Sequence, residues 1–313
     1  MTTAFLFPGQ GAQVVGMGAD VASAYPAGAG IFERANEVLG FDLRKVCFEG
    51  PAETLNTTTM SQPAIFTTSA ALLEVLRTEP ATSGIVPQIT AGLSMGEYTA
   101  LYAAGLVRFE DALRLVHKRG QAMQAAADAT QGAMVSIMGL DEDKVGLLCR
   151  EAGQGDLLEP VNFNCPGQIV VSGTIGACER AIELAPQHGA LKAMRLEVAG
   201  AFHTAMMASA ADALRQALSA CQIGEPGRIK TPANVDAQYY PSAASIVDGL
   251  TRQLTSPILW ARCMQRLLAE GVDQFYEIGP NRVLTGLMKR IDRKAKVVNL
   301  STADSIKALI EGA

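Results

Sequence analysis

A serine framed by glycines, Gly92-Leu93-Ser94-Met95-Gly96, is the first stretch of this sequence whose residue types and spacing suit chemistry. An apolar run, residues 85–91, precedes it, and a helix-compatible run, residues 97–107, follows. Strand, sharp turn and helix in that order lift a serine hydroxyl clear of a sheet, at the positive end of a helix dipole. Glycines suit the two flanking positions because strand and helix approach too closely there for side chains. Such a hydroxyl is a poor nucleophile until a base takes its proton. The chain has 3 histidines. His117 lies within a helical pattern beside Lys118 and Arg119, and His188 sits in the polar loop Gln187-His188-Gly189. His203 follows the small, apolar stretch Ala199-Gly200-Ala201-Phe202 and precedes a helix, where a base can be held at a cleft wall, so it is the expected base.

Arg119 is misplaced for a surface arginine. Ala112, Leu115, Val116, Ala122 and Met123 mark the apolar face of its helix, and position 119 falls on that face, whereas Arg114, Lys118 and Gln121 fall opposite. A guanidinium on a buried face needs an anionic partner, because an unpaired buried charge is costly. Two readings follow: an internal salt bridge, or a bidentate clamp for a substrate carboxylate. Gln10 lies in a glycine-flanked turn directly after the first strand, which in a parallel sheet puts it on the same carboxyl edge as Ser94. It is either a solvated turn residue or an amide lining a site. The Met95 backbone N–H, at the start of the helix after the serine, is a natural oxyanion donor.

The elements that must position these groups read as an α/β protein. Strands are expected at residues 4–7, 85–91, 275–278 and 296–300, with helices at 31–39, 63–78, 97–107, 109–128, 206–220 and 282–291. Between them, residues 132–198 carry strands at 133–138, 158–164, 168–172 and 193–198 and helices at 142–152 and 175–189. That β-α-β-β-α-β order is a ferredoxin-like unit. The expectation is a large α/β-hydrolase-like domain with a mostly parallel sheet, residues 1–130 and 199–313, with a small ferredoxin-like domain, residues 131–198, inserted in it. The glycine-rich turn at Pro8-Gly9-Gln10-Gly11 is no dinucleotide fingerprint, because the third glycine arrives only at Gly16.

Bulk properties narrow the class further. A net charge of -5 and a pI near 5.4 argue against nucleic acid or an anionic membrane as partner. No apolar run is long enough to span a bilayer, and Met1-Thr2-Thr3 opens no signal-peptide pattern, so the expected location is the cytoplasm. The 6 cysteines form no C-x-x-C pair and read as buried free thiols in a reducing compartment, with no metal site.

Taken together the motifs resemble the malonyl-CoA:acyl carrier protein transacylases, over essentially the whole chain. Phe7-Pro8-Gly9-Gln10-Gly11-Ala12-Gln13 is similar to the opening motif of that family, and Gly92-Leu93-Ser94-Met95-Gly96-Glu97-Tyr98 to its nucleophile motif. Lys118-Arg119-Gly120 through Met123-Gln124 is similar to its arginine helix, and Val161-Asn162-Phe163-Asn164-Cys165-Pro166-Gly167-Gln168 to its small-domain hairpin. Gly200-Ala201-Phe202-His203, Gln253-Leu254 with Pro257 and Trp260, and Glu277-Ile278-Gly279-Pro280 complete the set. Two positions depart from the pattern: Leu93 stands where many members have histidine, and Cys165 where serine is frequent.

The resemblance implies a ping-pong transfer of malonyl from malonyl-CoA, through an ester on Ser94, to the phosphopantetheine thiol of acyl carrier protein, in fatty acid synthesis. It implies His203 as the base, the backbone N–H groups of Gln10 and Met95 as the oxyanion hole, and Arg119 as partner of the malonyl carboxylate. Gln253 would orient His203 through its backbone carbonyl, and Leu93, Asn162 and Phe202 would contact substrate. The bulky ring of Phe202 would favour malonyl over methylmalonyl. No cofactor is expected beyond the coenzyme A thioester substrate, and a free-standing monomer is expected. The carrier proteins of this family are acidic, so the basic run Lys289, Arg290, Arg293, Lys294 and Lys296 is either a docking patch or a helix C-terminus complementing its dipole. One rival is a serine esterase or thioesterase of the α/β-hydrolase type, which normally places its histidine late in the chain and leaves Arg119 unexplained. A non-catalytic, carrier-binding scaffold is the other; it predicts no acyl-enzyme.

Overall fold

The computed structural model describes residues 2–312. Its centre is a parallel sheet of four short strands: β1 (Thr3–Phe7), β2 (Ile89–Gly92), β7 (Gln274–Ile278) and β8 (Val297–Leu300), in the order β2-β1-β7-β8. Every residue of β1 and β2 is buried, as expected of strands covered by helices on both faces. The β2 strand begins four residues later than the apolar run that predicted it; Ile85 sits in the preceding turn, its N–H on the Thr82 carbonyl.

A second, antiparallel sheet lies between the strand groups in sequence. It contains β3 (Gly132–Met138), β4 (Leu158–Cys165), β5 (Gln168–Thr174) and β6 (Lys192–Arg195), ordered β4-β5-β3-β6. Helices Glu142–Gly153 and Ile175–Leu184 complete a split β-α-β arrangement. Alternation along β3 assigns the two faces. Val135 and Ile137 pack with Val145, Leu148 and Ala181 under the helices, while Met134 and Ser136 face a cleft shared with the parallel sheet. The β6 strand stops at Arg195, three residues short of the expected end. Leu196 still donates its N–H to the Met134 carbonyl, and the segment then turns to line the cleft.

Two long helices join the parallel sheet to this cleft. Thr58–Thr78 is buried along nearly its whole length, polar residues included, so an amphipathic pattern shows only its second half. It starts five residues before the expected Pro63, where the Thr57 hydroxyl accepts the Met60 N–H at 3.3 Å as an N-cap. Phe109–Thr130 packs against it and carries Arg119 on its buried face. All 6 cysteines are free thiols; five are buried and Cys221 is half-buried. No described helix is long and apolar enough to cross a membrane.

The serine turn is built on close backbone approach. A Cβ on Gly92 would lie 1.9 Å from the Gly96 carbonyl oxygen, and one on Gly96 would lie 2.2 Å from the Phe7 carbonyl oxygen. Both contacts are with backbone, which cannot rotate away. The helix after the turn is accordingly Gly96–Ala103, seated directly over the ends of β1 and β2. Gly92→Ala should therefore cost at least about 2 kcal/mol of stability, as overpacking against fixed backbone does. Urea unfolding would check it; a midpoint equal to that of the parent protein would contradict the packing described.

Candidate active site

Ser94 sits at the carboxyl end of β2 and is the one residue of the turn that is not buried. Its φ is +51°, a left-handed conformation that costs a non-glycine residue about 1 kcal/mol. The side chain of Asn234 compensates. Its Oδ1 accepts the Ser94 N–H at 2.7 Å, and its Nδ2 donates to the Gly92 carbonyl at 2.8 Å. A single amide thus satisfies two backbone groups of the turn.

The Ser94 hydroxyl lies between two cationic or potentially cationic groups. His203 Nε2 is 3.0 Å from Oγ on one side, and Arg119 Nη2 donates to Oγ at 3.0 Å on the other. His203 Nδ1 lies 2.7 Å from the Gln253 backbone carbonyl. A carbonyl only accepts, so Nδ1 carries the proton and Nε2 is left with a lone pair facing Oγ. No carboxylate is needed for that tautomer. The imidazole is buried; burial first, and then the Arg119 charge, bring its pKa down to about 3 against the opposing pull of the Gln253 carbonyl. The imidazole is therefore neutral at pH 7.

Arg119 is 1% exposed, and its donors reach only neutral oxygens: Gln62 Oε1 at 2.8 Å, Gln253 Oε1 at 2.9 Å and Ser94 Oγ. Its Nε has no partner among the described residues, and the Tyr98 ring lies 5.7 Å from the guanidinium carbon. Of the two readings of Arg119 from sequence, the internal salt bridge is absent among the described residues. Burial lowers its pKa, with the Tyr98 and Glu97 charges opposing.

These groups open into a cleft of about 650 Å³ between the two sheets. Leu93, Gln10, Asn162 and Phe202 all line it, as do Ser94, Arg119 and His203. The Oδ1 atoms of Asn162 and of its neighbour Asn164 are buried with no hydrogen-bond partner among the described residues. His117 and His188 are elsewhere: His117 stacks edge-on against Phe41, and His188 pairs with Glu151.

Similarity to known proteins extends over nearly the whole chain. The acyl transferase domain family matches residues 4–310. A malonyl CoA-acyl carrier protein transacylase of Bacillus subtilis is 43% identical over 98% of this chain and 96% of its own. The chain belongs to this family of transacylases. A solved transacylase from Coxiella burnetii superposes with a TM-score of 0.95 at 37% identity, covering 99% of this chain and 97% of that one. Another solved structure, a malonyl-transacylase in complex with a type II polyketide synthase acyl-carrier protein, gives a TM-score of 0.95 at 40% identity with full coverage of both chains.

Within this family frame, four residues of the site were not singled out from sequence. Gln62 is a polar residue on the buried stretch of the helix Thr58–Thr78, next to Pro63. Asn234 and Tyr240 lie in a loop region with no pattern to mark them. Glu97, inside the nucleophile motif, did carry a signal: it is the one acid in the otherwise uncharged helix Gly96–Ala103. The basic run is also less uniform than its sequence suggests. Arg290 is engaged with the β4–β5 turn, donating to Gln168 Oε1 at 2.8 Å and to the Pro166 and Gly167 carbonyls, whereas Lys289, Arg293 and Lys294 are exposed.

The burial of His203 makes a direct prediction. Its unfolded imidazole takes a proton near pH 6.5 and its folded one only near 3, so its contribution to stability is present above 6.5 and lost as pH falls through that window. In an NMR titration from pH 7 to 4, the imidazole signal that vanishes in His203→Ala should stay that of the neutral ring. A midpoint near 6.5 would mean that the site is open to water.

Proposed function

We propose that this protein transfers a malonyl group from malonyl-CoA to the phosphopantetheine thiol of an acyl carrier protein, through an ester on Ser94, in fatty acid synthesis. The observation that carries the reading is Arg119: a buried guanidinium with no carboxylate partner among the described residues, 3.0 Å from the nucleophile Oγ, facing a cleft. An acyl group on Ser94 with a free carboxylate at its far end supplies the missing anion. The names of the relatives support the acyl group, and the solved complex of a similar malonyl-transacylase with its carrier supports the acceptor.

In the forward half-reaction the thioester carbonyl carbon approaches Ser94 Oγ. Oγ forms the new bond while its proton passes to His203 Nε2, across the 3.0 Å contact. The oxyanion faces the backbone N–H groups of Met95 and Gln10, which donate to no other described group. Collapse breaks the carbon–sulfur bond, and the coenzyme A thiolate leaves with the proton from His203. The carrier thiol then gives its proton to Nε2 and attacks the ester carbonyl; collapse breaks the bond from the carbonyl carbon to Oγ, and Nε2 returns the proton to Oγ, regenerating Ser94. Throughout, the Gln253 carbonyl holds His203 in the working tautomer. Burial is the larger cause of the lowered His203 pKa and the Arg119 charge the second; docking of the acyl carboxylate on Arg119 offsets that second cause, so the correct substrate strengthens its own base. Phe202, buried at the cleft wall beside His203, limits bulk at the α-carbon and so favours malonyl over methylmalonyl. Leu93 and Asn162 complete the substrate contacts we assign.

The carrier is proposed to dock beside the helix Val283–Ile291, whose Val283 and Leu287 line the cleft. Lys289, Arg293 and Lys294 lie at and beyond the end of that helix, exposed, and complement an acidic partner. Arg290 contributes by holding the hairpin in place.

Two measurements test the reading. Intact mass after incubation with malonyl-CoA should show a malonyl adduct on the parent protein and none on Ser94→Ala. Arg119→Ala should lower kcat/KM for malonyl-CoA by about 100-fold or more while acetyl-CoA becomes a competitor, as loss of a buried charged partner predicts; unfolding of that variant would instead make Arg119 a structural residue. For the carrier, Lys289→Glu with Lys294→Glu should raise KM several-fold at low salt and leave malonyl loading from coenzyme A unchanged. An unaltered KM would remove the patch from the docking surface.

A further inference from the structure

The mechanism above makes no use of Glu97, which is fully buried in the first turn of the helix after the nucleophile. Its carboxylate accepts three hydrogen bonds: from the Tyr240 hydroxyl, from the Asn234 backbone N–H at 3.3 Å and from Gln253 Nε2 at 2.6 Å. Two of these donors belong to residues that hold the reacting groups directly. Asn234 fixes the serine turn, and Gln253 touches both His203 and Arg119.

The Gln253 side chain is the informative link. Its Nε2 donates to Glu97 Oε2 and to the Ser94 carbonyl at 3.1 Å, and its Oε1 accepts from Arg119 Nη2 at 2.9 Å. A carboxamide can be turned by half a revolution, exchanging its donor and acceptor ends. Turned that way here, Oε1 would face two acceptor oxygens, and the NH₂ group would face the Arg119 donors. Each mismatch leaves a buried polar group unpaired, which is far costlier than a hydrogen bond is favourable. We infer that Glu97 is a positioning residue for acyl selectivity: it locks the Gln253 amide so that an acceptor oxygen meets Arg119, and thereby aims the guanidinium at the carboxylate of the acyl group.

The protonation state of Glu97 does not undo the lock. Burial raises its pKa to about 7, against the pull of its three donors and of Arg119. Oε2 already receives two N–H groups, so a proton would sit on Oε1, toward the Tyr240 oxygen, leaving Oε2 an acceptor for Gln253. The groups facing the carboxylate are Tyr240, Gln253, Asn234 and the more distant charge of Arg119. A residue that merely filled this buried space would affect all acyl groups alike; a residue that aims Arg119 affects those with a carboxylate.

The inference rests on the malonyl reading, and the experiment separates the two. Initial rates of Ser94 acylation by malonyl-CoA and by acetyl-CoA are followed by intact mass in the full-length protein and in Glu97→Gln, Glu97→Met, Gln253→Ala and the Glu97→Met/Gln253→Ala pair. Glu97→Gln keeps an acceptor oxygen toward Gln253 and should hold the malonyl-to-acetyl rate ratio within about threefold, whereas Glu97→Met and Gln253→Ala should each lower it by about tenfold or more. The pair should fall no further than Gln253→Ala alone, because both changes break the same link. Equal losses on the two acyl groups in Glu97→Met, or additive losses in the pair, would overturn the inference. Should Glu97→Met not fold, a reduced ratio in Glu97→Gln or an unchanged one in Gln253→Ala would overturn it equally. Failure of the parent protein to take malonyl at all would defeat the substrate reading instead.

Discussion

A positive charge buried against a nucleophile is the constraint around which this site is built. Arg119 cannot lose its proton at any ordinary pH, and its surroundings supply only amide and hydroxyl oxygens. Those dipoles reduce the desolvation cost without cancelling it. The remaining deficit is spread over the neighbourhood: His203 is held neutral, Glu97 keeps a negative form within reach, and the Tyr98 ring presents its face. Burial is the larger cause of both pKa shifts; the Arg119 charge reinforces it at His203 and opposes it at Glu97. Among the described residues the guanidinium is hydrogen-bonded to three neutral oxygens and paired with no carboxylate.

The second constraint is geometric. The serine turn works only if three backbones come within van der Waals contact, β1, β2 and the helix Gly96–Ala103. Gly92 and Gly96 permit it, and the positive φ of Ser94 is the conformational cost, offset by the Asn234 amide. The same closeness sets Met95 and Gln10 on one edge of the sheet, since the loops after β1 and β2 leave adjacent strands. His203 also has a positive φ, +64°. Both partners of the 3.0 Å contact thus stand on left-handed backbone, which fixes the direction in which each side chain leaves the chain.

Much of this was readable in the sequence because it follows local rules. Apolar runs bounded by turn residues marked the parallel strands and, in the same way, β3 and β5. Arg119 announced itself by falling on the wrong face of its helix, and His203 was singled out among 3 histidines by the small, apolar stretch before it. What could not be read lies in two classes. The helix Thr58–Thr78 is buried all round, so its first turn and the polar Gln62 on it had no pattern to belong to. Asn234, Tyr240 and Gln253 reach Glu97 from 137 to 156 residues away, and no spacing rule connects residues so distant. The fold was legible where the hydrogen bonds are local, and the support of the site was hidden where side chains bridge remote loops.

The shared hydroxyl shows why such support matters. In the resting site Ser94 Oγ accepts from Arg119 and faces the lone pair of His203. An oxygen that accepts a charge-assisted hydrogen bond is a weaker nucleophile, and a histidine beside an uncompensated cation is a weaker base. Both effects restrain the Ser94–His203 pair. On the proposed malonyl reading, a carboxylate drawing on the guanidinium would ease both: the Oγ lone pair would be released, and the imidazole would regain the part of its basicity that the Arg119 charge, and not burial, removes. Recognition and activation are then one electrostatic event, which requires the guanidinium to shift between Oγ and carboxylate without losing its bearing. The two amide oxygens of Gln62 and Gln253, fixed on either side of it, provide that bearing.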